Sequence, residues 1–392
     1  MNTFLKKIYR GIQNMCDIWA AEMKTVFRDE GLFLFAIVVP LLYPLLYSWI
    51  YNNEVARDVP VVVVDQSDSQ LSRQFIRQYD ASPNVKVAYH CNDMTEARDL
   101  VAKQSAYGIL YFPSDFESNI MRMEQSHVGV YCDMSMMLTY KAVYSTATAV
   151  SQQLNTSIQV KLSKNYTDRE DEISSSPMEV EEVQMFNTTD GYGNFVLPPV
   201  LVLILQQTLL LSIGLSAGTS RERKKQLGGQ QNGGTLSYVG GKSLCYFMIF
   251  SVMAVYICLV VPRLFHFTTM VDIFELVPIL IPYLLACIFF GLFFSRVVRY
   301  RENVILLVVF TSLPLLFLSG VSWPQSAIPM PWQVFSWLFP STFGIRAFVR
   351  LNSMDAVLSD VTVEYRALWA QVAVYFIATC VMVKFLKRRE GI

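Results

Sequence analysis

The apolar positions of this chain fall into two kinds of pattern. Most gather in uninterrupted stretches long enough to cross a bilayer, which takes about 20 residues. Six such stretches, at residues 31–51, 195–218, 243–261, 273–294, 303–320 and 368–386, predict six membrane-spanning helices. The first contains Pro40 and Pro44. Ahead of it, Leu5, Ile8, Ile12, Met15, Trp19, Met23 and Val26 recur at steps of three or four, the spacing of one helical face. Lys6, Arg10, Asp17 and Lys24 lie mostly off that face. Residues 1–30 therefore read as a basic amphipathic helix, lying in the membrane interface or against another protein segment.

Residues 52–194 follow a different grammar. A β-branched run at 59–64 ends in the turn-and-cap cluster Asp65, Ser67, Asp68 and Ser69, and Leu71, Phe75, Ile76 and Tyr79 then keep helical spacing. A strand at 85–89, a helix at 94–104, a strand at 107–112, a helix capped by Ser114 and a strand at 128–132 continue an alternating α/β pattern. A long helix at 136–164 leads to an acidic, serine-rich stretch at 168–182 that reads as a mobile linker.

Composition agrees with a lipid-embedded chain: 53% of the 392 residues are hydrophobic and 16% charged, against about a quarter charged in ordinary soluble domains. The 32 basic and 32 acidic side chains cancel, so no global field draws the molecule to nucleic acid. Their placement orients the spans. Short segments on the side of the termini carry seventeen Lys and Arg, and those on the opposite side carry Arg263, Arg346, Arg350 and Arg366. By the positive-inside rule both termini lie in the cytoplasm and residues 52–194 lie outside it. Lys6, Lys7 and Arg10 do not begin a cleaved signal peptide, because Asp17, Glu22, Lys24, Arg28, Asp29 and Glu30 interrupt the apolar core such a peptide needs.

Candidate chemistry is sparse. Residues 234–243, GTLSYVGGKS, end like a phosphate-binding P-loop, but Leu236 stands where its first glycine belongs and no strand precedes it. ATP hydrolysis is excluded for this chain. His90, His127 and His266 sit near no nucleophile motif, and the seven cysteines have no metal-site spacing. No catalytic, cofactor-binding or metal-ligating residue is assigned. Cys91 and Cys132 fall in the soluble segment, where an oxidising compartment permits a disulfide if their separation does. Asp65, Asp68 and Asp133 each follow a predicted strand, as ligand-site residues or, more economically, as caps and turns. Within the second span, Gln206 and Gln207 need partners, supplied by a substrate route, a subunit contact or an interhelical hydrogen bond. Gly214 and Gly218 on the same helix form a small-xxx-small step for close packing, of which dimerisation is one version. Paired ionisable groups are not evident inside the spans, which disfavours an intramembrane enzyme. A membrane-anchored receptor or assembly protein is a rival class.

At residues 317–351 the fifth span runs into a stretch where Trp323, Trp332 and Trp337 alternate with Pro324, Pro329, Pro331 and Pro340. Such a segment, too broken to cross, predicts short helices re-entering the outer leaflet at 321–350. Ser319, Gly320, Pro324, Pro329, Trp337, Pro340 and Arg350 resemble the signature of the permease family of type-2 ATP-binding cassette (ABC-2) exporters. Arg28-Asp29, Gln206, Gln207, Arg221-Glu222-Arg223 and Gly241-Lys242 extend the likeness, and the soluble insertion resembles the large-domain branch. Residues 226–234 depart from the family's usual glycine-threonine-x-glutamate continuation.

The resemblance implies an α-helical polytopic membrane protein with six transmembrane helices and an inserted α/β extracytoplasmic domain, in a bacterial inner membrane. It implies a permease subunit that moves a small amphipathic molecule, drug or lipid outward and binds no cofactor itself. ATP and Mg would sit on separate ABC ATPase subunits, meeting this chain near Arg221, Glu222, Arg223, Lys224 and Lys225. Further implied partners are a second permease copy or a related permease, a periplasmic adaptor and the lipid bilayer. Gln206, Gln207, Gly214 and Gly218 are the candidates for the transport route or dimer interface, and Gly320, Trp323, Pro324, Pro329 and Pro340 shape the re-entrant segment.

Overall fold

In the computed structural model the described residues are 2–52, 55–122, 124–163, 186–187, 191–227, 234–298 and 300–389, with the side chains of 2–8, 161–163, 222–227 and 386–389 outside the description. The acidic stretch at 168–182 also falls outside it. The chain divides into two units, residues 53–184 and residues 1–52 with 185–392.

The smaller unit is built on a four-stranded sheet of β1 (Val59–Asp65), β2 (Val85–Cys91), β3 (Gly108–Phe112) and β4 (Gly129–Cys132), in the order β2-β1-β3-β4. β1 pairs in parallel with β2 and β3, and β4 runs antiparallel on the far edge. Helices α3 (Gln70–Asp80) and α4 (Met94–Ala102) make the crossovers, α5 (Phe116–Met121) follows β3, and α6 (Met137–Ser163) follows β4. The valine run of β1 is buried on both faces: Val61 and Val63 pack with Phe75, Tyr79 and Val143, while Val62 and Val64 pack with Ala97 and Ile109. Such a continuous apolar run marks a central parallel strand.

Local polar groups here serve the chain's own turns. Asp65 accepts hydrogen bonds from the backbone N–H of Ser67 and Asp68, both at 3.0 Å, and from Ser72 Oγ at 2.6 Å. Ser69 and Ser72 close a capping box on α3. Asp133 likewise accepts from Ser135 N at 2.9 Å. These contacts account for Asp65 and Asp133 as turn residues. One expectation needs correction: Asp115, not Ser114, is the N-cap of α5, without a side-chain capping bond. Cys91 and Cys132 lie on opposite edge strands, both as free thiols, and three interstrand steps alone put them at least about 14 Å apart. That exceeds the roughly 7 Å Cα reach of a disulfide.

The larger unit begins with α1 (Asn2–Arg28). Among the described residues, six helices there are long and apolar enough to cross a membrane: α2 (Glu30–Ile50), α7 (Tyr192–Leu227), α8 (Thr235–Leu264), α9 (Ile273–Val297), α10 (Arg301–Leu318) and α13 (Thr362–Arg389). Buried nearly all round, α7 is the centre of the unit, whereas α2, α10 and α13 keep most of their apolar surface outward. A helix that is hydrophobic all round belongs inside a bundle.

Proline marks two distortions. π-turns at Leu34–Val38 and Tyr256–Val260 place Ala36 and Cys258 four residues before Pro40 and Pro262. Those are the carbonyl positions that a proline ring crowds and leaves without a donor. Beyond α10, Gly320 adopts φ 88°, a left-handed turn that a side chain would strain. A 3₁₀ turn at Gln325–Ala327 leads to α11 (Met330–Ser336) and α12 (Pro340–Ser353). Pro324, Pro329 and Pro340 sit at or just before these helix starts, where a missing N–H leaves no bond unmade. Gln333 Nε2 donates to the carbonyls of Gln325 and Ile328, at 2.8 and 2.7 Å, and ties the turn to α11. Trp323, Trp332 and Trp337 stay exposed, as interfacial tryptophans do.

Candidate functional site

Among the described residues, a dense polar cluster joins three helices that the sequence pattern leaves unconnected. Glu22 on α1 is buried, and its Oε1 accepts hydrogen bonds from Lys242 Nζ at 3.0 Å, from Tyr246 OH at 2.8 Å and, at close range, from Ser216 Oγ. Oε2 is also 3.0 Å from Lys242 Nζ, which donates to Ser216 Oγ at 3.2 Å. Burial pushes the Glu22 carboxyl up, but Lys242 and the two hydroxyls outweigh it and hold it below the usual carboxylate range. Glu22 is thus a carboxylate locked to an ammonium.

The Gly-Gly-Lys sequence makes this pair reachable. A Cβ on Gly241 would stand 2.7 Å from the Met15 carbonyl oxygen and 2.9 Å from Ile18 Cβ, so the backbone of α1 presses directly on α8. The residues that resembled a P-loop end are a helix-packing notch followed by the lysine that pins the incoming helix. The structure also starts α8 at Thr235 rather than at 243, which puts Lys242 inside the apolar helix. One member of the buried pair, Lys242, therefore lies within a span, and Glu22 reaches it from α1. α1 turns Met15, Ile18, Trp19, Glu22 and Val26 inward and leaves Tyr9 and Ile12 exposed.

A second clamp lies at the start of α2. Asp29 caps that helix through Leu32 N at 3.2 Å, accepts from Arg301 Nη2 at 2.9 Å, and accepts from Thr219 Oγ1 at 3.0 Å. Gly31 and Gly218 admit the Arg301 side chain, since a Cβ would stand 2.4 Å from its Nη2 at the first and 3.2 Å from its Cβ at the second. Burial raises the Asp29 carboxyl, and the Leu32 amide, Arg301 and Thr219 outweigh it, leaving it below its ordinary 3.8. A depressed carboxylate stabilises the fold fully above that ordinary value and loses the contribution as pH falls through the lower, folded value. Asp29→Asn is thus expected to lower the melting temperature by a constant amount from pH 8 to about 5, with the deficit closing only below about 4, in a thermal-shift series.

Arg221 donates through both Nη atoms to the backbone carbonyls of Ser295 and Val298, closing the C-terminal end of α9. Free carbonyls at a helix C-terminus favour such a cation. Glu222, Arg223, Lys224 and Lys225 continue α7 on the helical backbone, and their side chains lie outside the described residues. The ends of α1, α7 and α9 and the starts of α2, α8 and α10 thus share these polar clusters. At their opposite ends Tyr51, Gly193 and Phe267 converge: a Cβ on Gly193 would stand 2.8 Å from the Tyr51 carbonyl oxygen and 2.7 Å from Phe267 Cε1. Consecutive spans therefore alternate in direction.

Deeper in the bundle, Gln206 Oε1 accepts from Cys287 Sγ at 3.5 Å, while Gln206 Nε2 and both amide atoms of Gln207 are buried without a partner. Gly214 and Gly218 face α10 of the same chain, where a Cβ on Gly214 would stand 2.3 Å from Val304 Cγ1. The small-residue step is filled intramolecularly.

Sequence reasoning counted Lys242 among flanking cations and Glu22 among interruptions, and so missed their pairing. The signal was present: Glu22 falls three after Trp19 and four before Val26, on the apolar face of α1.

No curated protein matches the chain. Residues 31–381 match the family model described as ABC-2 family transporter protein, and with nearly its whole length covered the chain belongs to the ABC-2 family.

Proposed function

We propose that this chain is the permease subunit of an ATP-driven exporter, working with separate ABC ATPase subunits that bind ATP and Mg. The observation that carries this reading is the gathering of α1, the end of α7 and the start of α8 around Glu22 and Lys242. A push on α1 or on the basic end of α7 reaches the core of the bundle through charge-assisted bonds rather than through loose side chains. By the distribution of Lys and Arg, this end faces the cytoplasm and residues 53–184 lie on the far side of the membrane; the family likeness favours a bacterial inner membrane. The cargo class is a small amphipathic molecule, drug or lipid, and an adaptor on the far side is a further partner.

Co-purification tests this. Expressed with its genomic neighbours and extracted in mild detergent, the chain is expected to bring down a P-loop ATPase. The triple reversal Arg223→Glu, Lys224→Glu and Lys225→Glu is expected to reduce the recovered ATPase at least about tenfold, the scale of one charge-assisted contact. Arg221 is left intact because it closes α9. Recovery of a binding partner with no P-loop protein in any preparation would move the chain to the receptor class.

A further inference from the structure

A cavity of about 530 Å³ opens at the end of the larger unit opposite the Glu22 cluster. Its floor is the Ser319–Gly320 turn after α10, and one wall is the last turns of α12. The polar inventory is unbalanced. Arg350 Nη1 pairs with Glu364 Oε1 at 3.3 Å. Arg346 donates through Nε to the Ser319 carbonyl at 3.0 Å, but its Nη2 is buried without any hydrogen-bond partner. Glu364 also acts on Arg346, so two guanidiniums share one carboxylate and the charged lining sums to a single net positive charge. Around it Phe195, Val321, Val349 and Met354 supply apolar walls.

A buried, unpaired guanidinium donor is costly unless something fills the place opposite it. The volume lies within the range of small-molecule sites, and mostly apolar walls with a single convergent charge are their usual make-up. Gly320, held at φ 88°, aims the Ser319 carbonyl at Arg346 Nε and so fixes the guanidinium at the cavity floor.

We propose that this cavity binds an anionic amphiphile, its carboxylate or phosphate head against the half-buried Arg346 guanidinium and its apolar tail against Phe195, Val321, Val349 and Met354. Under the exporter reading on which its location rests, the site lies at the outer end of the route and holds cargo or lipid before release.

Equilibrium binding to the full chain in uncharged detergent tests the proposal. Dodecanoate and dodecyl phosphate are expected to bind at least about tenfold tighter than dodecanol, the margin of one charge-assisted hydrogen bond. Inorganic phosphate at millimolar concentration is expected not to displace them; displacement would mean a site for a free anion and overturn the amphiphile assignment. Arg346→Met, which keeps the packing of the stem but also gives up the Nε bond to Ser319, is expected to bring both anions to the level of the alcohol. Equal anion affinity in that variant overturns the proposal. If it does not fold, Val349→Phe narrows the cavity with the cation intact, and unchanged affinity there has the same meaning. Failed anion binding alongside a co-purified ATPase removes this site alone. Anion binding with no ATPase partner keeps the site and removes the exporter reading.

Discussion

Glu22→Ala is expected to deplete the folded protein in detergent, and Lys242→Ala to do the same, while Glu22→Gln combined with Lys242→Met restores most of the loss. Each single change strands a charge among buried groups: Lys242 is 4% exposed and Glu22 6%. Breaking one side of a buried pair costs about 3–5 kcal/mol, a large share of the roughly 5–15 kcal/mol that holds a typical protein folded. The double variant removes both desolvation penalties and leaves Ser216 and Tyr246 an amide to bond. Melting temperature and monodispersity on gel filtration read the result. If the singles lose no more than the double, the pair does not anchor α1. A restored double variant also separates packing from transmission, since ATPase coupling measured in it reports whether the charges themselves carry the push.

Much of this architecture was legible in the sequence because its largest signals are one-dimensional. A stretch of apolar residues must satisfy its backbone internally in lipid, so its length alone marks a helix. The valine run of β1 and the capping serines of α3 are equally local. What could not be read is pairing across long separations. Glu22 and Lys242 are 220 residues apart, and Asp29 and Arg301 are 272 apart. Each of these charges has an innocent local reading as a flank of an apolar segment. Helix ends misled for the same reason: Gly240, Gly241 and Lys242 look like a loop by composition, yet the glycines are there to admit α1 and the lysine to meet Glu22. The bonds from Arg221 to the end of α9 were likewise illegible, because its carbonyl partners belong to a different helix. The short helices after α10 were readable because prolines announce helix starts wherever they occur.

Gly214→Val is expected to destabilise the bundle strongly, and Val304→Ala to rescue it. The added Cβ would stand 2.3 Å from Val304 Cγ1, 3.0 Å from its Cγ2 and 3.2 Å from its Cβ, so the clash is with the rigid branch point of a valine rather than with a flexible end. Overpacking of this kind costs about 1–3 kcal/mol, and two further methyls on the valine itself add to it. Truncating Val304 alone leaves a gap and also destabilises, but in the double variant the new side chain grows into the space vacated. A favourable coupling of about 1–2 kcal/mol is therefore expected in the double-mutant cycle, the range for residues in contact. The measurement also discriminates between two roles for the small-residue step. If Gly214 instead meets a second copy of the chain, Gly214→Val lowers the mass of the detergent-solubilised assembly and Val304→Ala does not recover it. With α10 seated on Gly214, the assembly mass is unchanged and stability is what falls and returns.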